Sequence, residues 1–172
     1  MIGRALGKSA EATTVQAQVD KAFSDAATAH PAFEGTQVAV AANTSAGFGA
    51  YVRGDARVDF MERLGFVNKP ALQALATDSF FVPISAEQLP LLDAGLTVAF
   101  PIFVDASTIT GNPLWQAIGS VKAGHAVVLA DQTLANAFSI GTPQGTGYAL
   151  QNAVPLFAAA QWDVDATGRL RG

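Results

Sequence analysis

Two short apolar runs in the chain predict buried β-strands. Residues 36–42 read Thr-Gln-Val-Ala-Val-Ala-Ala, and residues 96–100 read Leu-Thr-Val-Ala-Phe. Neither run alternates apolar and polar positions, as a strand with one face in water would. Nearly continuous apolarity is typical of strands covered on both faces, as in a parallel sheet between helices. We therefore expect both runs to be central strands.

Segments with a helical period accompany these strands. From Ser9 to His30, apolar side chains recur every three or four positions, and Pro31 follows as a helix-ending residue. A final helix is predicted over about residues 145–161, and Pro155 should kink or interrupt it because proline lacks a backbone N–H. The other predicted elements are a helix that carries Phe60, Met61 and Leu64 and ends at Gly65, an edge strand at 80–84, helices at 85–92 and 112–118, and a strand at 125–130.

Strands that alternate with helices indicate the α/β class. The sequence predicts a three-layer α/β/α, Rossmann-like domain whose sheet has four or five mainly parallel strands. Residues 43–54 contain three glycines and are expected to form a flexible loop after the first strand. In open parallel sheets, ligands bind beyond the carboxyl ends of the strands. This rule directs attention to the predicted loops 43–53, 101–111 and 131–142.

Composition and charge exclude several classes of protein. The chain has 172 residues, of which 50% are hydrophobic and 14% are charged, so a folded domain is expected rather than disorder. The net charge of −4 and the scattered basic residues argue against nucleic acid as a partner. There is no cysteine, which excludes disulfides and thiolate metal sites. No apolar run is long enough to span a bilayer, and the N-terminus lacks a signal-peptide core, so an export signal is expected outside this chain.

Signals for catalysis are weak. His30 and His125 lack further ligands at metal-binding spacing, so no metal site and no cofactor are expected. Gly47-Phe-Gly49 follows the first predicted strand, as a dinucleotide loop would, but Val52 stands where the third glycine belongs. The sequence therefore favours a protein that is not an enzyme.

A set of short motifs, in order along nearly the whole chain, resembles one family. The motifs are Ile2-Gly-Arg-Ala-Leu-Gly7, His30-Pro-Ala-Phe-Glu-Gly35, Arg63-Leu-Gly-Phe66, Ile84-Ser-Ala-Glu-Gln-Leu89, Asn112-Pro-Leu-Trp115, Val121-Lys-Ala-Gly124 and Ser139-Ile-Gly-Thr142. Together they resemble the connecting helix and C-terminal lobe of the substrate-binding proteins of iron–siderophore ABC transporters, a family that also takes haem and cobalamin. Gly95, where the family commonly has Asp, and the loop 101–111 depart from its pattern.

The resemblance implies a function and a domain organisation. It implies an extracytoplasmic protein that captures a ferric siderophore, or haem or cobalamin, between two lobes and delivers it to ABC permease subunits. Residues 1–30 would be the inter-lobe helix, residues 31–162 the ligand-binding lobe and residues 163–172 a polar tail. The resemblance also implies that the family's N-terminal lobe lies outside this chain. Two other functional classes stay open. The second choice is a stand-alone flavodoxin-like domain that binds a small molecule or a protein, and the third is a nucleotide-dependent enzyme.

Five residues are candidates for contact with the ligand. Ferric siderophores are often anionic and present flat faces, which an arginine and aromatic rings would suit. The candidates, from the loops beyond the strands, are Phe48, Tyr51, Arg53, Phe103 and Phe138. Phe138 is also a rough match to an aromatic ligand contact in the family. Core packing is the alternative for Phe103 and Phe138, a solvated loop charge is the alternative for Arg53, and Trp115 is assigned to packing outright.

The same resemblance gives two expectations about partners. Ser85-Ala-Glu-Gln88 has the spacing of a capping box, which places Glu87 at the start of a helix. An acid at this position of the family pairs with an arginine of the permease, so Glu87 is the candidate docking residue. In a lone lobe, cleft aromatics such as Phe48 and Tyr51 would be exposed, and a weak homodimer through that face is expected.

Overall fold

Helices and strands alternate along the computed structural model, which describes residues 8–160; the predicted tail 163–172 lies outside the described residues. The strands are β1 (Gln37–Thr44), β2 (Gly47–Tyr51), β3 (Val67–Asn68), β4 (Phe81–Pro83), β5 (Leu96–Pro101) and β6 (Ala126–Val128). The helices are α1 (Ser9–Ala29), α2 (Ala56–Arg63), α3 (Pro70–Gln73), α4 (Ser107–Thr110), α5 (Pro113–Gln116), α6 (Gly119–Lys122), α7 (Gln132–Ile140) and α8 (Pro143–Ala159). Pro31–Phe33 and Leu89–Leu92 form short 3-10 turns.

The six strands form one mixed sheet in the order β4-β2-β1-β5-β6, with β3 also paired to β1. The pairs β1–β5, β5–β6 and β1–β3 are parallel, whereas β1–β2 and β2–β4 are antiparallel. As expected, the two apolar runs lie side by side in the middle of the sheet, where Val38 pairs with Leu96 and Ala42 pairs with Phe100.

Both faces of the sheet are covered, which confirms the three-layer α/β architecture. Along β1, Val38, Val40 and Ala42 pack into one hydrophobic cluster, which also contains residues of α1, α2, α7 and α8. Ala39 and Ala41 point to the opposite face and pack into a second cluster. Because every residue from 38 to 42 is fully buried, β1 has no solvent-facing side, and this explains its continuous apolarity.

The glycine-rich segment 43–54 is largely a hairpin, and the prediction of a flexible loop there is wrong. β1 turns at Ser45 and Ala46 and returns as β2, with Thr44 opposite Gly47. Gly47 has a φ of +102°, which a residue with a Cβ rarely adopts. A Cβ at Gly49 would lie 2.0 Å from Phe81 Cζ, so this glycine lets an aromatic ring cross the strand. The glycines therefore shape a hairpin and do not form a dinucleotide loop.

Three other predicted elements need correction. Residues 85–88 form a turn that leads into the 3-10 segment, so the expected α-helix 85–92 is absent from this described part of the chain. Residues 132–140, expected to be a loop, form α7, whose N-cap Asp131 accepts a hydrogen bond from the Leu134 N–H. The last helix, α8, continues through Pro155 to Ala159 without the expected interruption.

Candidate functional site

A pocket of about 500 Å³ opens beyond the carboxyl end of β5, where open α/β sheets bind ligands. Its walls come from the end of β5, from the segment that follows it, and from one face of α7. We call it the Arg57 pocket, and its lining residues are Arg57, Phe100, Pro101, Ile102, Phe103, Gln132, Ala135, Asn136 and Ser139. Amide, hydroxyl and guanidinium groups thus share the pocket with apolar side chains.

Arg57 is the charged residue of this pocket and is held on several sides. Its Nη1 donates to both carboxylate oxygens of Asp55, at 3.0 and 2.8 Å, and its Nε donates to Ser139 Oγ at 3.0 Å. The two side chains of the ion pair are only 16% and 7% exposed. The guanidinium carbon also lies 4.2 Å from the centre of the Tyr51 ring and 5.3 Å from that of Phe100. Arg57 is therefore held in place by contacts within the protein itself.

The local sequence around Asp55 explains how this arrangement forms. Asp55 is the N-cap of α2, and its Oδ1 accepts a hydrogen bond from the Arg57 N–H at 2.9 Å. The same carboxylate therefore caps the helix and holds the side chain two residues later. Burial raises the pKa of the Tyr51 hydroxyl above its usual value, an effect that nearby Arg57 opposes. Tyr51 consequently remains neutral at physiological pH.

Phe103 forms the rim of the Arg57 pocket. Its side chain is fully exposed, and its φ of +56° lies in the left-handed region that a residue with a Cβ seldom adopts. A fully exposed phenylalanine makes little contribution to folding, and its conformation is unfavourable as well. Strained backbone of this kind is concentrated at active sites and ligand contacts, which makes Phe103 a candidate contact residue.

Of the five ligand-contact candidates, the pocket includes Phe103 alone. Phe48 is buried and stacks on Trp115 with ring centres 5.8 Å apart, so the packing assigned to Trp115 is what the structure shows. Tyr51 and Phe138 are buried as well, in the cluster on the opposite face of the sheet. The prediction that Phe48 and Tyr51 are exposed is therefore wrong. The exposed aromatic patch from which the homodimer was predicted is reduced to Phe103.

The arginine that lines the pocket is not the one predicted from the sequence. Arg53 is largely exposed, donates from Nε to Glu62 Oε1 at 2.7 Å and does not line the pocket. Arg57 lines the pocket but was not a candidate. The spacing Asp55-x-Arg57 at a helix start is a signal that could have indicated it, because an N-cap acid is positioned to hold a cation two residues on. Contact of the five candidates with ligand stays a prediction.

Glu87 is exposed, which the predicted docking role would require, although it lies in a turn and not in a helix. Hydrogen bonds from its own backbone N–H and from the Ser85 hydroxyl, which donates to Oε2 at 2.8 Å, lower the pKa of its carboxyl group. The Ser85 N–H donates to Gln88 Oε1, so the second half of the predicted capping box is present. Glu87 is therefore an oriented surface anion.

A second cavity, of about 530 Å³, lies between α1 and α8 and differs in chemistry from the Arg57 pocket. Val15, Val19 and Leu150 are among its lining residues, and none of those residues is charged. Within residues 8–160, no cluster of side chains is suited to hold a metal ion, and no helix has the length and apolarity needed to cross a bilayer. The Arg57 pocket is thus the better candidate site for a polar ligand.

Comparison with known proteins supports the resemblance at the level of the fold. No protein-family model and no curated protein matches the sequence. Among solved structures, PiaA from Streptococcus pneumoniae TIGR4, in complex with ferrichrome, matches with a TM-score of 0.75 and 24% identity over 92% of this chain and 55% of that one. Unliganded FhuD2 from Staphylococcus aureus matches with a TM-score of 0.77 and 12% identity over 92% of this chain and 62% of that one.

A third similar structure is SirA from Staphylococcus aureus, complexed with staphyloferrin B. Its TM-score is 0.73 and its identity is 16%, over 90% of this chain and 57% of that one. The described chain therefore has the fold found in siderophore-binding ABC substrate-binding proteins, and it fits their C-terminal lobe. It spans little more than half the length of these structures. PiaA is described as an iron uptake ABC transporter substrate-binding protein.

Proposed function

We propose that this chain is one lobe of an extracytoplasmic substrate-binding protein that captures a ferric siderophore for ABC import, and that the Arg57 pocket is its part of the ligand cleft. The observation that carries the proposal is the placement of a fixed arginine and an exposed phenylalanine beyond the carboxyl end of β5. A fold shared with proteins that bind ferrichrome, ferrioxamine B and staphyloferrin B supports it.

The chemistry of the pocket suits a ferric chelate. Asn136 and Ser139 on α7 present polar groups, Arg57 supplies N–H donors, and Phe103 supplies an apolar face at the rim. Metal-chelating oxygens of a siderophore accept hydrogen bonds, and its organic shell packs on apolar surface. In this proposal the chain binds and delivers the ligand without changing it, and the stand-alone binding domain and the nucleotide-dependent enzyme have no observation in their favour.

We expect Phe103→Ala to weaken the binding of ferrichrome to this chain about fivefold to tenfold, because an aromatic rim contact contributes about 1 kcal/mol. Leu114→Ala is the matched control, since Leu114 is also exposed but lies on α5, outside the pocket. NMR-monitored titration would measure both affinities, and broadening by Fe(III) should be strongest for amides of α7. Broadening centred on another part of the chain, or equal effects of the two variants, would contradict the proposed site.

Haem and cobalamin belong in the same titration, since the resemblance implies them as alternative ligands. Haem carries two carboxylates, whereas the walls of the Arg57 pocket offer a single arginine that is already paired. Cobalamin is far larger than a pocket of about 500 Å³ in one lobe. We therefore expect ferrichrome to bind more tightly than either. Tighter binding of haem or cobalamin would change the assigned ligand and leave the binding-protein role in place.

We also propose that Glu87 docks this lobe on the permease. In a complete two-lobed protein that carries this lobe, Glu87→Gln should leave siderophore affinity unchanged and lower the rate of uptake by about tenfold, because a lost interfacial charge pair costs a few kcal/mol of docking energy at most. Glu11→Gln is the matched control, since Glu11 is another exposed acid, on α1. Transport of the radioactive iron complex into cells measures the effect. Normal uptake by the Glu87 variant would exclude the docking role.

A further inference from the structure

The charges around the Arg57 pocket cancel, although an arginine in a siderophore site suggests attraction for an anion. Asp55 holds Arg57 through two hydrogen bonds, and both side chains are mostly buried, so their charges neutralise each other at short range. Apart from Arg57, the side chains that line the pocket are uncharged. The positive charge of Arg57 is therefore not available to an anionic ligand.

The segments that border the pocket add acids and no bases. Residues 101–111 and 131–142 contain no lysine or arginine, but they contain Asp105 and Asp131. Asp105 Oδ1 accepts from the Ser107 N–H at 2.7 Å, and Asp131 Oδ1 accepts from the Leu134 N–H at 2.7 Å. Hydrogen bonds from the Ser107 side chain and backbone N–H lower the pKa of the Asp105 carboxyl group. The surroundings of the pocket are thus neutral to acidic, which disfavours a ligand with several carboxylates.

Arg57 still offers hydrogen-bond donors. Its Nη1 is used by Asp55 and its Nε by Ser139, and within residues 8–160 no hydrogen bond to protein involves Nη2. The two N–H groups of Nη2 match the oxygen atoms of an uncharged chelate. Three hydroxamates carry one negative charge each and cancel the charge of Fe(III), so a ferric tris-hydroxamate is neutral but rich in acceptor oxygens.

We propose that Asp55 is the specificity-determining residue of this site and that, by neutralising Arg57, it selects uncharged tris-hydroxamate chelates over anionic carboxylate chelates. This inference rests on the proposed function, because it assigns a substrate class to the same pocket. Asp55 acts through Arg57 and is a positioning residue, not a ligand contact. Its second role, as the N-cap of α2, is separable, because asparagine caps a helix about as well as aspartate.

The test compares two probes, uncharged ferrichrome and anionic ferric staphyloferrin B, on the chain and on two variants. We expect the unmodified chain to prefer ferrichrome about tenfold or more. Asp55→Asn should raise the relative affinity for ferric staphyloferrin B about tenfold, because it leaves a mostly buried Arg57 charge unopposed. NMR titration up to about 20 millimolar ligand, at two salt concentrations, measures the ratio of these weak affinities, and the gain should shrink as salt increases.

Glu62→Gln is the matched control. It removes one negative charge from the same helix, but its partner is Arg53, which lies outside the pocket lining. We expect it to leave the ratio of the two affinities unchanged. An equal shift in both variants would overturn the proposal, because the effect would then reflect net charge and not the pairing of Asp55 with Arg57.

The outcomes also separate this inference from the proposed function. Binding of both probes with an unchanged ratio in Asp55→Asn overturns the role of Asp55 alone. No binding of either probe to any form overturns the assigned ligand class and this inference with it. Circular dichroism shows whether Asp55→Asn folds. If it does not, the two affinities of the unmodified chain still test the inference, because a preference for ferric staphyloferrin B over ferrichrome contradicts it.

Discussion

Replacing Phe138 with alanine is expected to lower the free energy of unfolding by about 3–5 kcal/mol, while the same replacement at Phe103 changes it by less than about 0.5 kcal/mol. Phe138 is 1% exposed and contacts the rings of Phe60, Phe100 and Phe157 edge-on, with centres 5.2, 6.4 and 6.1 Å away. Its removal would leave a cavity between the sheet and two helices. Phe103 has no such surroundings because its ring is fully exposed.

Urea unfolding followed by circular dichroism would measure both changes. The pair is informative because the sequence proposed the two phenylalanines for the same role in ligand binding. We expect Phe138→Ala to reduce the amount of folded protein and Phe103→Ala to reduce ligand affinity alone. A loss below about 1 kcal/mol for Phe138→Ala would show that its side chain does not occupy the core.

The second large effect concerns affinity. This chain by itself should bind ferrichrome only at about millimolar concentration, about a thousandfold more weakly than a complete protein with a micromolar dissociation constant, or about −8 kcal/mol. A two-lobed protein encloses its ligand from both sides, whereas one lobe provides about half of the contacts. The ligand still loses its translational and rotational freedom when it binds, and this loss costs the same several kcal/mol for one lobe as for two.

Calorimetric titration combined with analytical ultracentrifugation would test this expectation. Ultracentrifugation is needed because a homodimer, which stays a prediction, would supply a second surface to the ligand. Sub-micromolar binding by a monomer would contradict the proposal that the chain is one lobe of a two-lobed protein. That proposal is supported by the chain's match to only 55% and 62% of the lengths of PiaA and FhuD2.

The two central strands could be predicted because nearly every residue in each of them is apolar. A strand buried on both faces must be apolar at nearly every position, so β1 and β5 are visible in the sequence alone. The helical period of α1 and α8 is similarly explicit. The order of short motifs then linked these elements to a family of binding proteins, and the solved structures share its fold.

The candidate site was less predictable because it depends on residues far apart in the chain. Ser139, which accepts the hydrogen bond from Arg57 Nε, is 82 residues away from it. The local spacing Asp55-x-Arg57 indicates that the acid can hold this arginine, but it does not show that Arg57 lines a pocket. That placement depends on the contact of Arg57 with Ser139 of α7.

The sequence by itself thus determined the α/β class and the two central strands, since both depend on the pattern of apolar and polar residues within short segments. Only the tertiary structure decided that residues 43–54 form a hairpin, because Gly49 is explained by the Phe81 ring that crosses it from another strand. It also decided which phenylalanines are buried. Burial depends on what packs against a side chain, and those neighbours, such as Phe60 and Phe157 around Phe138, come from distant parts of the chain.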